Sequence, residues 1–256
     1  MKTYKTYTIG LLIATFLLIG LARSSEATSY TFQSYDSGGT RSDMNDLDHY
    51  YYYSWKINWD LPVGEVITGA RLDIYNIWDW TVERNDILRI YLLDSPPVLD
   101  NAVTHNFTGS PSYSTTISRR YDGQQNNNFN GQGPLVGTWT DPYGGNNGTN
   151  KVADLFFDLP ISSTTHADLT DLTNFITNNG IWGFGFDPDC HYFNDGIKFT
   201  ITTQPQPVPE PSTLLLLGSG LIGVAMFVQK RWVSKGDQWG SGYLSLLFHR
   251  HHKHPH

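Results

Sequence analysis

Between residues 28 and 203 the chain repeatedly alternates apolar or aromatic residues with polar ones. The clearest stretches are His49 to Trp59 (HYYYYSWKINW) and Val66 to Ile77 (VITGARLDIYNI). Because successive side chains of a strand point to opposite faces of a sheet, this alternation predicts strands with one buried face. Turn signals separate these segments about every ten residues, which is typical of an antiparallel β-sandwich.

We therefore expect an all-β domain with a jelly-roll-like strand arrangement, and an immunoglobulin-like Greek key is the alternative.

One segment breaks the alternation. His166 to Ile176 carries apolar residues at helical spacing, Ser162 to Thr165 offer N-terminal caps, and Gly180 follows. These features predict one short soluble helix.

Composition limits how the domain can be stabilised and what it can bind. The chain has one cysteine, Cys190, so no intrachain disulfide can form. Between residues 28 and 208 it has 21 acidic and 9 basic residues, a difference of −12. Because this charge repels phosphate backbones, no nucleic-acid partner is expected.

Both ends of the chain carry apolar segments. Lys2 and Lys5 precede the apolar run Ile9 to Ala22, and small residues at Ser25 and Ala27 offer a cleavage site. This order predicts a signal peptide over residues 1–27, beginning with a signal helix that export removes.

The C-terminal segment has three parts. A proline-rich spacer ends in Val208, Pro209, Glu210, Pro211 and Ser212. An uncharged apolar run follows, and Lys230 and Arg231 come directly after it. A long apolar run closed by basic residues predicts a transmembrane helix with its basic end in the cytoplasm.

Pro-Glu-Pro, an apolar helix and a basic cluster in this order resemble the PEP-CTERM sorting signal of exported bacterial proteins. The resemblance implies recognition of those seven residues, Val208 to Ser212 with Lys230 and Arg231, by an exosortase that processes the C-terminus. It also implies a precursor held in the inner membrane and a mature protein at the cell surface or outside the cell, near extracellular polysaccharide.

The chain therefore divides into five expected regions. They are a signal peptide (1–27), a β-sandwich ectodomain (28–203), a proline-rich linker (204–211), the sorting signal with its transmembrane helix (212–232) and a disordered His-rich tail (233–256).

Acidic residues form two loop clusters that make Ca²⁺ a candidate cofactor. Carboxylate and amide oxygens are the ligands that Ca²⁺ takes. The alternative is that these residues are ordinary turn residues, since Asp and Asn favour turns. The candidate ligands are Asp187, Asp189, Asn194 and Asp195 in the late loop and Asp46 and Asp48 in the early loop.

Aromatic residues in or beside loops are candidates for sugar contacts, because aromatic faces stack on sugar rings. The alternative is ordinary core packing. The hairpin of GARLDIYN and DILRIYLLD also resembles jelly-roll modules of bacterial surface proteins and carbohydrate-binding modules. The candidate residues are Trp78, Trp80, Trp139 and Tyr143.

No catalytic residue is predicted. Cys190 and His191 are neighbours whose side chains would point to opposite faces of a strand, and no third member of a triad is visible. The sequence therefore predicts a non-enzymatic, polysaccharide-associated surface protein. The alternatives are a secreted glycosidase or lyase acting on the matrix, and a simple type I membrane-anchored surface protein.

Overall fold

The computed structural model of the protein describes residues 26–36, 38–79, 85–109, 111–123, 127–142, 153–207, 215–224 and 226–227. The chain divides into two units, Met1–Gln206 and Pro207–His256.

The first unit is built mainly from strands. They are β1 (Thr28–Gln33), β2 (Tyr51–Asn58), β3 (Glu65–Asp79), β4 (Ile87–Asp94), β5 (Val103–Phe107), β6 (Tyr113–Tyr121), β7 (Leu135–Thr140), β8 (Ala153–Asp158), β9 (Ile181–Pro188), β10 (Tyr192–Phe193) and β11 (Gly196–Pro205). The 3-10 helix Asn45–Leu47 precedes β2, and the helix α1 (Leu169–Asn179) precedes β9.

The strands form two sheets, and every strand pair among the described residues is antiparallel. The first sheet has the order β1–β11–β3–β10, with β8 also paired to β3, and the second has the order β5–β6–β2–β9–β4–β7. The prediction of a mostly antiparallel β architecture is confirmed. The jelly-roll arrangement and its Greek-key alternative stay predictions.

Aromatic rings from both sheets meet in one apolar core. Trp182 of β9 packs edge-on against Phe32 of β1 with 5.3 Å between ring centroids. Phe184 of β9 packs in the same way against Phe199 of β11 at 4.8 Å. All four side chains are fully buried. Because aromatic residues bury large areas, these contacts stabilise a domain that has no disulfide.

Strand β2 shows how the alternation in the sequence selects the buried face. Tyr53, Trp55 and Ile57 are fully buried in the core. On the opposite face, Tyr52 and Lys56 are only partly buried, and the small Ser54 between them is buried. The period-two pattern therefore predicted the orientation of this strand correctly.

Residues 127–133 cover part of the other face of the second sheet. Phe129 is fully buried there against Tyr52 and Tyr91, at ring distances of 5.5 and 6.4 Å. Gly185 of β9 leaves the space for this ring, because a Cβ on Gly185 would lie 2.5 Å from it. A small second cluster of apolar residues therefore packs outside the main core.

The helix α1 begins later than the sequence pattern predicts. Its N-cap is Asp168, whose side chain accepts a hydrogen bond from the backbone N–H of Asp171, while the Asp171 side chain accepts one from the backbone N–H of Asp168. Gly180 ends the helix in the left-handed conformation with φ of 70°. The expected caps at Ser162 to Thr165 are therefore wrong, since a reciprocal capping box lies downstream.

In the second unit, residues 215–224 and 226–227 are helical. In the described part of the chain, no helix is both long and apolar enough to span a membrane. Residues 1–25 of the predicted signal peptide, the seven sorting residues and the tail 233–256 lie outside the described residues.

Candidate functional site

The early acidic loop and the late loop meet at one end of the sandwich, because β1 and β11 are neighbours in the first sheet. Asn194 donates from its side-chain amide to the backbone carbonyl of Asp43 at 2.9 Å. The backbone N–H of Ile197 donates to the carbonyl of Ser42 at 2.8 Å. The fold therefore brings together two loops that lie far apart in the sequence.

The candidate Ca²⁺ ligands of the late loop take separate partners. Asp187 is buried in β9 and accepts from the backbone N–H and the side-chain amide of Asn128, at 2.6 and 3.1 Å. These bonds fix the segment that carries Phe129. Burial raises the pKa of Asp187, and the hydrogen bonds from Asn128 oppose that rise.

Each of the other candidate ligands also has its own hydrogen-bond or ion-pair partner. Asp189 accepts from the Tyr192 hydroxyl at 3.1 Å, and Asp195 accepts from the Asn76 amide at 2.6 Å. In the early loop, Asp46 lies 3.8 Å from Arg41, and Asp48 accepts from the backbone N–H of Tyr50 at 3.0 Å. A structural Ca²⁺ ion stays a prediction, which a titration of the melting temperature with Ca²⁺ tests.

A cluster that the sequence did not predict lies where β10 pairs with the end of β3. Ligand atoms of Asp79, Asp86 and Cys190 all lie within 4.8 Å of one another. Burial raises the pKa of Asp86 to about 6, a hydrogen bond from Cys190 opposes this shift, and Asp79 adds to it. The pairing of Tyr192 with Asp79 and of Pro188 with Leu88 brings these residues together, so no local sequence signal marks them.

The outer surface at the same end carries three aromatic rings in a row. Trp78 of β3 stacks on Phe193 of β10 with 4.3 Å between centroids and 24° between planes. His191 lies against Phe193 at 4.6 Å and 30°. All three side chains are only partly buried, and neither Trp78 nor Phe193 belongs to the core. We call these three residues the aromatic row.

Acidic residues of the early loop lie beside the aromatic row. Burial lowers the pKa of His191, whereas the negative charges of Asp48 and Asp46 raise it and His49 lowers it further. The 3-10 helix Asn45–Leu47, which carries Asp46, contacts β10. Trp78 and the two carboxylates were predicted for different roles, and both roles stay predictions.

The remaining candidates for sugar contact differ from Trp78. Trp139 is partly buried and packs edge-on against Tyr192 at 5.2 Å, on the core side of β10. Trp80 and Tyr143 lie outside the described residues. The sequence missed Phe193 and His191, although both flank Tyr192 in an alternating stretch that would place them on one face.

The comparisons with known proteins identify the C-terminal segment. A search of curated proteins found no match, and a search of solved structures also found none. The family described as "PEP-CTERM protein-sorting motif" matches residues 207–231. The chain therefore carries a PEP-CTERM sorting motif, the mark of an exported protein that an exosortase sorts through the cell envelope.

Proposed function

We propose that this exported protein is a non-enzymatic, polysaccharide-binding component of the cell surface or extracellular matrix. The observation that carries the proposal is the aromatic row on the outer surface. Partly exposed rings of this kind offer flat apolar surface on which sugar rings stack. The nearby carboxylates of Asp46 and Asp48 are acceptors for sugar hydroxyl groups.

The lowered pKa of His191 supports this role. Because burial disfavours the imidazolium, the His191 ring is neutral at about pH 7. A neutral ring stacks against a sugar face without the cost of removing a charge from water. Together with the carboxylates of Asp46 and Asp48, the row therefore combines stacking faces with hydrogen-bonding groups.

Affinity electrophoresis through gels containing the host's own neutral exopolysaccharide tests binding. We expect Trp78→Ala to abolish the retardation of the wild type without lowering the melting temperature, because Trp78 lies outside the core. Tyr121→Ala is the matched control, since Tyr121 is an exposed ring on the other sheet. Equal retardation of wild type and Trp78→Ala would contradict the proposal.

One observation favours a second candidate, a glycosidase or lyase acting on the same matrix. Asp86 has the raised pKa of a general acid and lies beside the carboxylate of Asp79. Asp79 is only 4% exposed, however, which leaves no evident room for a sugar between the two groups. Release of reducing ends by the wild type, lost in Asp86→Asn, would favour the enzyme over the binder.

We further propose that the C-terminal helix holds the precursor in the inner membrane until an exosortase cleaves the sorting motif. The alternative is a type I membrane protein that keeps its anchor. Intact mass and location in the native host test this, with Pro209-Glu210-Pro211 replaced by three alanines as the control. We expect the wild type to lose its C-terminal segment and the variant to keep it; retention in both supports a permanent anchor.

A further inference from the structure

Strand β3 carries an irregularity that aligns two aromatic side chains. Its pairing with β8 shifts register between Ile74 and Ile77, and Asn76 adopts a positive φ of 48°. Ile74 and Ile77 both face the core. Since one extra residue lies between them, Tyr75 and Trp78 both project from the outer face of the sheet.

Beyond Tyr75, the outer face continues as a network of charged and aromatic side chains. The Asp73 carboxylate accepts from Arg71 Nε at 2.6 Å and from the Tyr75 hydroxyl at 3.1 Å. Lys198 Nζ lies 3.6 Å from the same carboxylate and 4.8 Å from the centroid of the Tyr75 ring. These contacts hold the Tyr75 ring in place on the surface.

Phe156 of β8 completes the network. The Arg71 guanidinium lies 3.9 Å above the centroid of its ring, and Phe156 is 50% exposed. A shallow groove of about 470 Å³ is lined by Arg71 and Tyr75, and Thr200 and Thr202 add hydroxyl groups to its lining. The groove therefore offers an aromatic face together with donors and acceptors.

The groove and the aromatic row lie on one outer face. From Arg71 to Trp78 the strand spans roughly 20 Å at about 3.3 Å per residue. Asn76 lies between them and donates to Asp195 at 2.6 Å. An extended surface of this length suits several units of a polymer better than one sugar.

The charges along this surface indicate which polymer it takes. Arg71 and Lys198 are offset by Asp73 and Asp158, which also line the groove. Asp154 and Asp195 are hydrogen-bonded to Asn76, and Asp46 and Asp48 add negative charge at the far end. Because carboxylates balance or outnumber the cations among the described residues of this surface, and the domain is acidic overall, an anionic chain would be repelled.

We propose that the outer face of β3, from the groove lined by Arg71 and Tyr75 to the aromatic row, binds an extended neutral polysaccharide chain. The proposal rests on the sugar-binding function proposed above and assigns Tyr75 and Phe156 as positioning residues of a second subsite. Binding strength then depends on chain length, because only longer chains reach both subsites.

Titration calorimetry of the full chain with oligosaccharides of graded length, prepared from the host's neutral exopolysaccharide, tests the proposal. We expect affinity to rise with length in the wild type. Tyr75→Ala and Phe156→Ala should each weaken binding of long chains about tenfold, the change that ~1.4 kcal/mol produces. Both should leave disaccharide binding unchanged. Neither side chain belongs to the core, so both variants should melt as the wild type does.

Three results would overturn the inference in distinguishable ways. If Trp78→Ala abolishes binding while the Tyr75 and Phe156 variants bind every length as the wild type does, the row binds sugar alone and the second subsite is wrong. If an anionic polymer such as alginate binds more tightly than the neutral chain, the assignment of a neutral ligand is wrong. If no chain of any length binds, the proposed function fails as well.

Discussion

Gly185 shows how one residue decides the packing on the outer side of a sheet. It lies in β9 beneath the ring of Phe129, and only a residue without a side chain leaves space for that ring. Phe129 is therefore buried completely although it lies in a loop. The space was created by a glycine more than fifty residues later in the chain.

Gly185→Ala should lower the free energy of unfolding by about 1–3 kcal/mol, the cost of forcing an extra methyl group into a packed site. The Phe129 ring would have to move, since it lies 2.5 Å from the new Cβ. Gly69→Ala is the matched control, because its Cβ would have its nearest neighbour at 3.8 Å. Urea denaturation measures both; equal loss in the two variants would contradict the packing argument.

At the scale of the residue, Asp86 makes the free energy of unfolding of the domain depend on pH. Its folded-state pKa is raised to about 6 from a reference of 3.8. A raised pKa means that stability is greatest below about pH 3.8 and falls as the pH rises through about 6, because the folded state resists ionisation. Asp86→Asn stays neutral and should not show this fall.

We therefore expect Asp86→Asn to exceed the wild type in unfolding free energy by on the order of 1 kcal/mol at about pH 7, allowing for solvent screening. The two proteins should converge towards about pH 4. Chemical denaturation across this pH range is the measurement. A constant difference at every pH would show that the substitution acts through packing instead.

At the scale of the element, α1 depends on the capping box at its first turn. Asp168 accepts from the backbone N–H of Asp171 at 2.9 Å and from that of Ser163 at 2.8 Å. The hydrogen bond from Asp171 is the main reason that the pKa of Asp168 is lowered. The cap thus fixes both the start of the helix and the loop before it.

Asp168→Ala should cost about 1–2 kcal/mol of stability at neutral pH, and Asp168→Asn should cost less because its amide oxygen can still accept one bond. Since the pKa of Asp168 is lowered, its contribution is present above about pH 3.8 and is lost as the pH falls further. The difference between wild type and Asp168→Asn should therefore shrink in acid. Thermal melts at several pH values would show this, and a difference that grows in acid would contradict it.

At the scale of the whole molecule, the excess of acidic residues opposes folding through mutual repulsion. The domain has a charge difference of −12 between residues 28 and 208. The ion pair Arg120–Asp100 at 3.2 Å lies at the surface, and Arg41–Asp43 at 3.0 Å joins an exposed arginine to a buried carboxylate. Surface pairs contribute little. Repulsion among the acidic side chains should therefore lower the free energy of unfolding by more than the surface ion pairs raise it.

We expect the melting temperature to rise as NaCl increases from about 10 to 300 mM, because salt screens repulsion over the Debye length. KCl at equal ionic strength is the control and should act alike. A melting temperature that falls with both salts would show that the ion pairs outweigh the repulsion.

The sequence by itself determined the antiparallel β architecture, the buried face of β2 and the sorting motif. Each of these is local: alternation has a period of two residues, and the motif is contiguous. Trp78, which the sequence singled out as a candidate for sugar contact, lies outside the core, and that contact stays a prediction. The boundary of α1 was misjudged because serine and threonine residues upstream offered equally good local caps.

Only the tertiary structure decided which distant residues share a site. The pairing of β10 with the end of β3 stacks Phe193 on Trp78 and brings Cys190 to Asp79 and Asp86. The bulge at Asn76 aligns Tyr75 with Trp78, and the hydrogen bonds of Asp187 hold Phe129 in place. Strand register and partner choice depend on contacts between segments far apart in the chain, and a local pattern carries no information about them.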